Sequence, residues 1–492
     1  MDNGVESIYR TLKKERINGC SVRLKGDKLI LGIEDKRIFL KNLNKTIKGR
    51  METVAFFYKK DKDTGIKRNV KKKHILLQYG SAVKGKNVLK EKIYSDTENR
   101  LKEIFEEEIK GSKVCVLCDR EYSKKVDNLK QAIYPIATKI KSLSGVREKR
   151  EYYDNLCPLC YLVGSMEWLD EGLIYLNLPG KNEDSFVFLP KMRNLVSLNN
   201  FKTYFVDTSK IVDSRDSVSN LRPEKGFTEG EYTTLLYFYE KFFDRVWFME
   251  KVDNYVVQEK EEICSDWVYM KVPSGIVKNV KVSSLKVSDS ILRSIYELTK
   301  IDKLVYSGFV NKLFFSPKKK IRGKIINQIN SKIRESVAEG ILKDDFRRFA
   351  STLLPRKGGN VVFTKEARDV MDNLIVSWRL DEMGLNETDL KDIKSVARIV
   401  GLVSLNHVSI LYKLDKARNP TKFLDALREL SRRLIGLTNS ERKKVYPPAL
   451  TNLVDFVELN RGNRQRFEDI RNILIIYSCV ELSMLSYGKK RK

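Results

Sequence analysis

"NLCPLCYLVGS", residues 155–165, and "KVCVLCDRE", residues 113–121, each place two cysteines three positions apart. A C-x-x-C turn presents both sulfurs on the same side of a tight loop, at the right separation to hold one metal ion. Two such turns complete a tetrahedral shell of four sulfurs, which suits zinc. The sequence therefore predicts one structural Zn²⁺, bound by Cys115, Cys118, Cys157 and Cys160.

The two cysteine pairs are far apart in the chain. Between Cys118 and Cys157 lie 38 residues, more than a compact zinc ribbon needs. We therefore expect an inserted helical lobe that brings the second pair back to the first. Two alternatives remain open, namely cysteines that only pack in the interior and a redox-active C-x-x-C pair. A catalytic zinc is not indicated, because four thiolates leave no open coordination position.

The net charge is the second strong signal. The 492 residues include 94 Lys and Arg against 65 Asp and Glu, a formal charge of +29. Residues 41–90 alone hold fifteen basic residues against three acidic ones. A chain this basic usually binds a polyanion, because each neutralised phosphate releases condensed counterions. Solubility, or a lysine-rich proteome, is the alternative explanation.

Two lysine-rich loops are candidates for contact with nucleic acid. Lysines of this kind hold phosphates and position a nucleic acid without reading its bases. Either run alone is equally consistent with a solvated face. The candidate residues are Lys71, Lys72, Lys73, Lys84, Lys86, Lys318, Lys319 and Lys320.

Cysteine usage and hydropathy bear on the compartment. Seven cysteines, an odd number with four of them in C-x-x-C pairs, do not resemble a secreted disulfide framework. We interpret the isolated Cys20, Cys264 and Cys479 as packing residues. The first residues contain no apolar signal segment, and the longest apolar run, "ILIIYSCV" at 473–480, is too short to span a bilayer. We therefore expect a cytoplasmic protein that does not bind a membrane.

The hydrophobic pattern changes character along the chain. The first half favours strands: "KLILGIEDKRIFL" (28–40) alternates around a turn at Glu34-Asp35, and "LIYLNLPGKNEDSFVFLP" (173–190) predicts a hairpin around Pro179-Gly180. "YTTLLYFYEKFFDRVWFMEK" (232–251) predicts a buried helix rather than a platform for stacking bases. From about residue 288 the apolar spacing is helical, and Asn419-Pro420 is a good cap and first-turn pair.

These patterns predict an α+β fold. It comprises a mixed α/β N-terminal domain with an inserted four-cysteine zinc lobe, followed by an all-α C-terminal helical bundle. The predicted division is a basic β-rich region at 1–96, the zinc-binding lobe at 97–170, the α/β remainder of the N-terminal domain at 171–287 and the helical bundle at 288–492.

Evidence for catalysis is sparse. "GSAVKGKN" (80–87) nearly matches a phosphate-binding loop, but Asn87 stands where Ser or Thr would bind magnesium. Only two histidines are present, His74 and His407, and no paired carboxylates form a recognisable signature. We therefore predict a protein that is not an enzyme, with a nucleotide-dependent enzyme built on Gly80–Asn87 as a lesser alternative.

A basic chain of this size, with C-x-x-C pairs within "CVLCDREY" and "CPLCYLVG" and a helical C-terminal third, resembles one family. It looks like the CXXC-CXXC large subunit of type I CRISPR surveillance complexes (Cascade), of the I-B-like branch. The specific motif covers only the cysteine region, whereas the general layout covers the whole chain.

The resemblance implies a binding protein with several partners. Such a subunit lies beside the backbone, handle-binding and small subunits, at the 5′-handle end of the crRNA. It inspects the protospacer-adjacent motif in target double-stranded DNA, stabilises the R-loop and recruits a helicase-nuclease. The alternative from a different class is a stand-alone zinc-stabilised RNA-binding or RNA-modifying protein.

Overall fold

The computed structural model describes most of the 492 residues. The residues outside it are 1, 15–18, 54–55, 61–66, 72–101, 103, 106–112, 116, 123–156, 169, 171, 178–184, 204–219, 222–229, 254–262, 273–280, 302–304, 318–326, 357, 376–384, 437–445 and 489–492. The chain forms two compact units, and each is made of two segments. The N-terminal unit comprises Met1–Arg222 and Phe248–Lys286, and the C-terminal unit comprises Pro223–Trp247 and Val287–Lys492.

The N-terminal unit combines helices with short antiparallel sheets. Its helices are α1 (Asp2–Lys14), α2 (Lys36–Thr53), α3 (Pro158–Trp168) and α4 (Leu195–Thr203). Its strands are β1 (Cys20–Lys25), β2 (Lys28–Ile33), β3 (Phe56–Lys60), β4 (Lys67–Lys71), β5 (Lys113–Val114), β6 (Glu121–Tyr122), β7 (Ile174–Asn177), β8 (Ser185–Lys191), β9 (Asn220–Leu221), β10 (Asp266–Val272) and β11 (Lys281–Lys286).

The largest sheet has five strands in the order β11-β10-β8-β7-β9. Strand β9 runs parallel to β7, and the other neighbours are antiparallel. The hairpin predicted around Pro179-Gly180 is confirmed, since Ile174 pairs with Phe188 and Asn177 with Ser185. Aromatic side chains fill one face of the sheet. Trp267 is fully buried, and Phe201 of α4 lies edge-on to it at 5.9 Å between ring centroids.

The strand predicted to follow Glu34-Asp35 is wrong, because residues 36–53 form helix α2. Strand β2 instead forms an antiparallel pair with the preceding strand, β1, from Cys20 opposite Ile33 to Lys25 opposite Lys28. The Asp35 carboxylate accepts a hydrogen bond from the backbone N–H of Ile38 at 2.9 Å. This bond satisfies one of the unpaired donors of the first helical turn, so Asp35 starts a helix where alternation alone suggested a strand.

Helices α1 and α3 enclose a small apolar core with α2. A Cβ atom at Gly4 of α1 would lie 2.1 Å from the carbonyl oxygen of Val163 in α3, so only glycine permits this approach. The core beneath the contact is formed by Ile8, Leu12, Phe39, Leu43, Leu162, Val163 and Met166.

The C-terminal unit is predominantly helical. The long helix α5 (Glu231–Asp253) contributes its first part to this unit. The remaining helices are α6 (Asp289–Ile301), α7 (Val305–Asn311), α8 (Ser331–Leu342), α9 (Phe346–Thr352), α10 (Lys365–Ile375), α11 (Glu387–Ser404), α12 (Ser409–Lys416), α13 (Pro420–Leu434), α14 (Pro447–Leu459) and α15 (Arg464–Gly488).

Patterns in the sequence predicted several features of this unit. Residues Tyr232 to Glu240 of α5 are buried without interruption, as a core helix requires. The Asn419 side chain accepts a hydrogen bond from the Lys422 backbone N–H at 2.9 Å, and Pro420 opens the first turn of α13 as predicted. None of the described helices is both long and apolar enough to cross a membrane.

The prediction that residues 288–492 are all-α needs correction. Strands β12 (Leu313–Pro317) and β13 (Gly359–Phe363) form an antiparallel pair within this region. Their sequences, "LFFSP" and "GNVVF", are short and rich in aromatic and β-branched residues, which fit a pleated surface better than a helix. The division of the chain into four parts stays a prediction.

Candidate metal centre

The first cysteine pair lies on the short hairpin formed by β5 and β6. The Cys115 backbone N–H donates to the Arg120 carbonyl at 2.9 Å, and the Asp119 N–H donates to the Cys115 carbonyl at 2.9 Å. Asp119 adopts a positive φ of 55°, a conformation that Asp tolerates better than most residues. The resulting turn is tight enough to place Cys115 and Cys118 side by side.

The second pair lies at the start of helix α3. Pro158 occupies the first helical position, where its missing N–H costs no hydrogen bond. The Cys160 backbone N–H donates to the Cys157 sulfur at 3.4 Å, so Cys157 occupies the capping position. The positive end of the helix dipole at this terminus favours thiolate over thiol.

The structure brings the two pairs together. All four sulfurs lie within 4.8 Å of one another. The Cys118 and Cys157 sulfurs are 3.7 Å apart, and the Cys157 N–H donates to the Cys115 sulfur at 3.3 Å. Four sulfurs at 2.3 Å from one tetrahedral ion stand about 3.8 Å apart. The spacing therefore suits a single metal ion held by both pairs.

Burial makes this a closed site. Cys115, Cys157 and Cys160 are 0%, 4% and 1% exposed, and Cys118 is partly buried. With four protein sulfurs and little solvent access, no position remains for a substrate or a reactive water. The geometry is compatible with a metal ion that would hold two chain segments together.

Protonation within the cluster is uneven. The hydrogen bond with the Cys160 thiol lowers the pKa of Cys157 to about 5, and the same contact raises the pKa of Cys160. Burial raises the pKa of Cys118 to about 11. One sulfur is thus ready to bind as thiolate, and a divalent ion would displace protons from its neighbours.

A buried ionic network holds the other end of α3. The Arg10 guanidinium binds Glu6 through Nε at 2.9 Å and Nη2 at 2.6 Å, and Nη2 also lies 2.8 Å from Asp170. The Lys202 ammonium lies 2.5 Å from Asp170 and 3.2 Å from Glu6. All four side chains are at most 7% exposed. Two cations and two carboxylates balance, so these four side chains link α1, the segment that follows α3, and α4 with no net charge among them.

No pattern in the sequence predicts this network. The Glu6–Arg10 spacing of four residues is a signal for a helical ion pair, but surface pairs share it. Asp170 and Lys202 come from distant segments and have no local signature. Only their simultaneous burial distinguishes them from solvated charges.

The predicted nucleic-acid contacts cannot be placed in the same way. Lys71 is the last residue of β4, and its side chain lies outside the described residues. Lys72, Lys73, Lys84, Lys86, Lys318, Lys319 and Lys320 also lie outside them, as does the whole Gly80–Asn87 loop. These assignments stay predictions.

The other three cysteines lie outside the cluster. Cys264 and Cys479 are buried, as packing residues should be, and Cys20 is partly buried. Comparison with protein-family models, with curated proteins and with solved structures finds no match for the chain.

Proposed function

We propose that Cys115, Cys118, Cys157 and Cys160 bind one structural Zn²⁺. The support is the mutual approach of four sulfurs within 4.8 Å, with three of the four side chains buried. The ion would hold the β5–β6 hairpin against the start of α3. It would stabilise the fold and take no part in a chemical step.

We further propose that the protein is the non-catalytic large subunit of a crRNA-guided type I CRISPR surveillance complex. The observation that carries this proposal is a closed four-sulfur cluster in a chain with a formal charge of +29. A closed cluster offers no reactive centre, and a large positive charge favours a polyanionic partner. The cysteine spacing adds the resemblance to the CXXC-CXXC large subunits.

In this role the protein works by binding. Pairing between crRNA and target DNA reads the sequence, and the protein inspects the protospacer-adjacent motif and the shape of the duplex. Its lysines, among them Lys71, Lys72 and Lys73, neutralise phosphates of the duplex or of the displaced strand. Its other surfaces bind the backbone, handle-binding and small subunits and recruit the helicase-nuclease.

Copurification tests this function. The tagged full chain, expressed from its native locus, should carry RNAs of uniform length with a common repeat-derived 5′ end, together with several partner proteins. Recovery of heterogeneous RNA and no partner subunits would overturn the proposal and favour the stand-alone RNA-binding protein. An RNA modification that depends on the protein would identify the RNA-modifying alternative.

Salt dependence tests the role of the lysines. Affinity for duplex DNA should fall with salt at a log–log slope of roughly −0.9 per phosphate contact. Replacing Lys71, Lys72 and Lys73 with alanine should flatten that slope and weaken binding to all sequences alike. The matched control replaces three exposed lysines elsewhere, Lys286, Lys332 and Lys391. Equal slopes for the two triple variants would show that Lys71, Lys72 and Lys73 do not contact the DNA.

A further inference from the structure

A basic cavity of about 570 Å³ lies within the C-terminal unit, apart from the cysteine cluster. It is formed by α9, the C-terminal end of α12 with the loop that follows, and the first two turns of α15. In the part of the chain that the structure describes, every side chain that lines it is charged, and five are cations: Arg347, Lys416, Arg418, Arg464 and Arg471. Its volume is in the range of pockets that hold small ligands.

The two carboxylates that also line the cavity already have partners. Asp415 lies 2.6 Å from Nη1 of Arg347, and Glu468 lies 3.0 Å from Nε of Arg464. Lys416, Arg418 and Arg471 have no carboxylate within ion-pair distance among the residues that the structure describes. Three positive charges therefore remain uncompensated around one cavity.

Arg471 is the most unusual of the three. Its side chain is only 4% exposed, and the guanidinium donates to the Ala417 carbonyl at 2.8 Å and to Oδ1 of Asn472 at 3.4 Å. Its Nε is buried and has no hydrogen-bond partner among the described residues. Burial, and then the charge of Arg347, lowers the pKa of Arg471. Glu468 and Asp415 attract this cation only from beyond ion-pair distance. A buried cation without a direct ion pair is costly, and a bound anion would lower that cost.

Three of the other cations lie at the mouth of the cavity. Lys416 and Arg418 are exposed, and the Arg464 side chain is 87% exposed. Arg464, Glu468 and Arg471 follow one another at helical spacing along one face of α15, so they lead from the mouth to the floor. Among the described residues, no aromatic ring lines the cavity to stack on a base. The chemistry recognised here is that of anionic oxygens.

We propose that this cavity binds a phosphate group, with Arg471 at its floor and Lys416 and Arg418 at its mouth. The planar guanidinium matches the geometry of phosphate oxygens, and the exposed lysine adds a second charge. We assign the phosphate to a nucleic-acid backbone, because three of the lining cations, Lys416, Arg418 and Arg464, are exposed and open to a long polyanion. A free phosphorylated small molecule presents the same group, and the experiment separates the two sources.

The first measurement uses inorganic phosphate and the full-length protein. Phosphate should raise the thermal unfolding midpoint above that in chloride of equal ionic strength. The double variant Lys416→Gln with Arg418→Gln should bind phosphate about tenfold more weakly or worse, as expected when charge-assisted contacts are lost. The matched control, Lys422→Gln with Arg428→Gln, removes the same charges from exposed positions on α13 and should behave as wild type.

Arg471→Met tests the floor of the cavity. This variant should lose the stabilisation by phosphate even if its stability in chloride is unchanged or higher, because an apolar side chain removes the uncompensated charge. If it fails to fold, the double variant still decides, since both of its side chains are exposed.

The second measurement identifies the source of the phosphate. A labelled single-stranded oligonucleotide and a mononucleotide are titrated into the wild type, the double variant and the control. A loss of about tenfold for the oligonucleotide in the double variant alone supports a backbone phosphate. The same loss for the mononucleotide, with oligonucleotide binding unchanged, assigns a free nucleotide and overturns the backbone source.

The site itself is overturned if phosphate stabilises no better than chloride and the double variant matches its control for both nucleotide probes. The proposed phosphate site does not depend on the proposed function, because these probes are added to the isolated chain without crRNA or partner subunits. Failure of the copurification experiment would leave the phosphate measurement intact, and the reverse also holds.

Discussion

The Lys202 ammonium lies 2.5 Å from the Asp170 carboxylate, and both side chains are 1% exposed. Asp170 follows the end of α3, whose first turn carries Cys160. The cysteine cluster therefore lies at one end of α3, and the buried ionic network lies at the other. A buried ion pair adds little stability compared with well-packed apolar residues, but losing one partner strands the other charge.

Lys202→Met should therefore lower the free energy of unfolding by about 3–5 kcal/mol. The control is Lys191→Met, because Lys191 and Asp266 form a 3.5 Å pair with side chains 52% and 32% exposed. This second variant should cost less than about 1 kcal/mol. Urea denaturation of both variants gives the comparison. Equal costs would show that the buried network does not hold the N-terminal unit together.

The same network predicts a dependence on pH. Burial alone would raise the pKa of Asp170, but the charges of Arg10 and Lys202 hold it well below its usual value. A carboxylate with a lowered pKa stabilises the fold fully above its unfolded pKa of about 3.9 and loses that contribution as the pH falls towards its folded pKa. The stability difference between wild type and Lys202→Met should accordingly shrink below about pH 4.

Unfolding midpoints at a series of acidic pH values test this expectation. Burial raises the pKa of the neighbouring Glu167. A carboxyl group with a raised pKa destabilises the fold when it ionises, so the effect of Glu167 falls above about pH 4.3, its unfolded pKa. Below that pH, the change in stability reports on Asp170. A difference that stays constant or grows with acid would exclude Asp170 as the controlling group.

The contact between α1 and α3 depends on Gly4. Gly4→Ala places a methyl group 2.1 Å from the Val163 carbonyl oxygen, so the helices must separate. We expect a loss of about 1–3 kcal/mol, as is typical of overpacking. Gly308 of α7 is the control, since a Cβ there meets nothing within 4 Å. Gly308→Ala should be neutral or should stabilise by up to about 1 kcal/mol through helix propensity. Loss of stability in both variants alike would show that the close approach is not responsible.

Metal analysis tests the cysteine cluster. Purified wild-type protein should contain about one zinc per chain, as a four-sulfur structural site requires. Cys157→Ser should contain almost none and should unfold more readily. Serine is itself a good helix cap, so this change removes the thiolate but keeps a capping oxygen. Cys20→Ser, at a partly buried cysteine outside the cluster, should retain the metal. Wild-type protein without zinc, with all four thiols open to titration, would contradict the site.

Local sequence determined those features that a few neighbouring residues decide. The cysteine turns, the buried stretch of α5 and the cap at Asn419-Pro420 each follow from spacing over a few positions. Asp35 shows where such reasoning fails. Alternating residues on both sides of it suited a strand, but one side-chain bond to the Ile38 N–H belongs to a helix instead. Two local signals conflict at this position: the cap favours a helix, and the alternation favours a strand. Periodicity alone does not show which of them decides the structure.

Tertiary structure alone decided which charges and thiols meet. Cys118 lies beside Cys157 across 39 positions, Arg10 beside Asp170 across 160, and Arg347 beside Asn472 across 125. In the sequence, Lys202 and Arg471 resemble the many solvated cations of a basic protein. They differ because packing removes water from them, and a charge without water must find a partner in the fold or in a ligand.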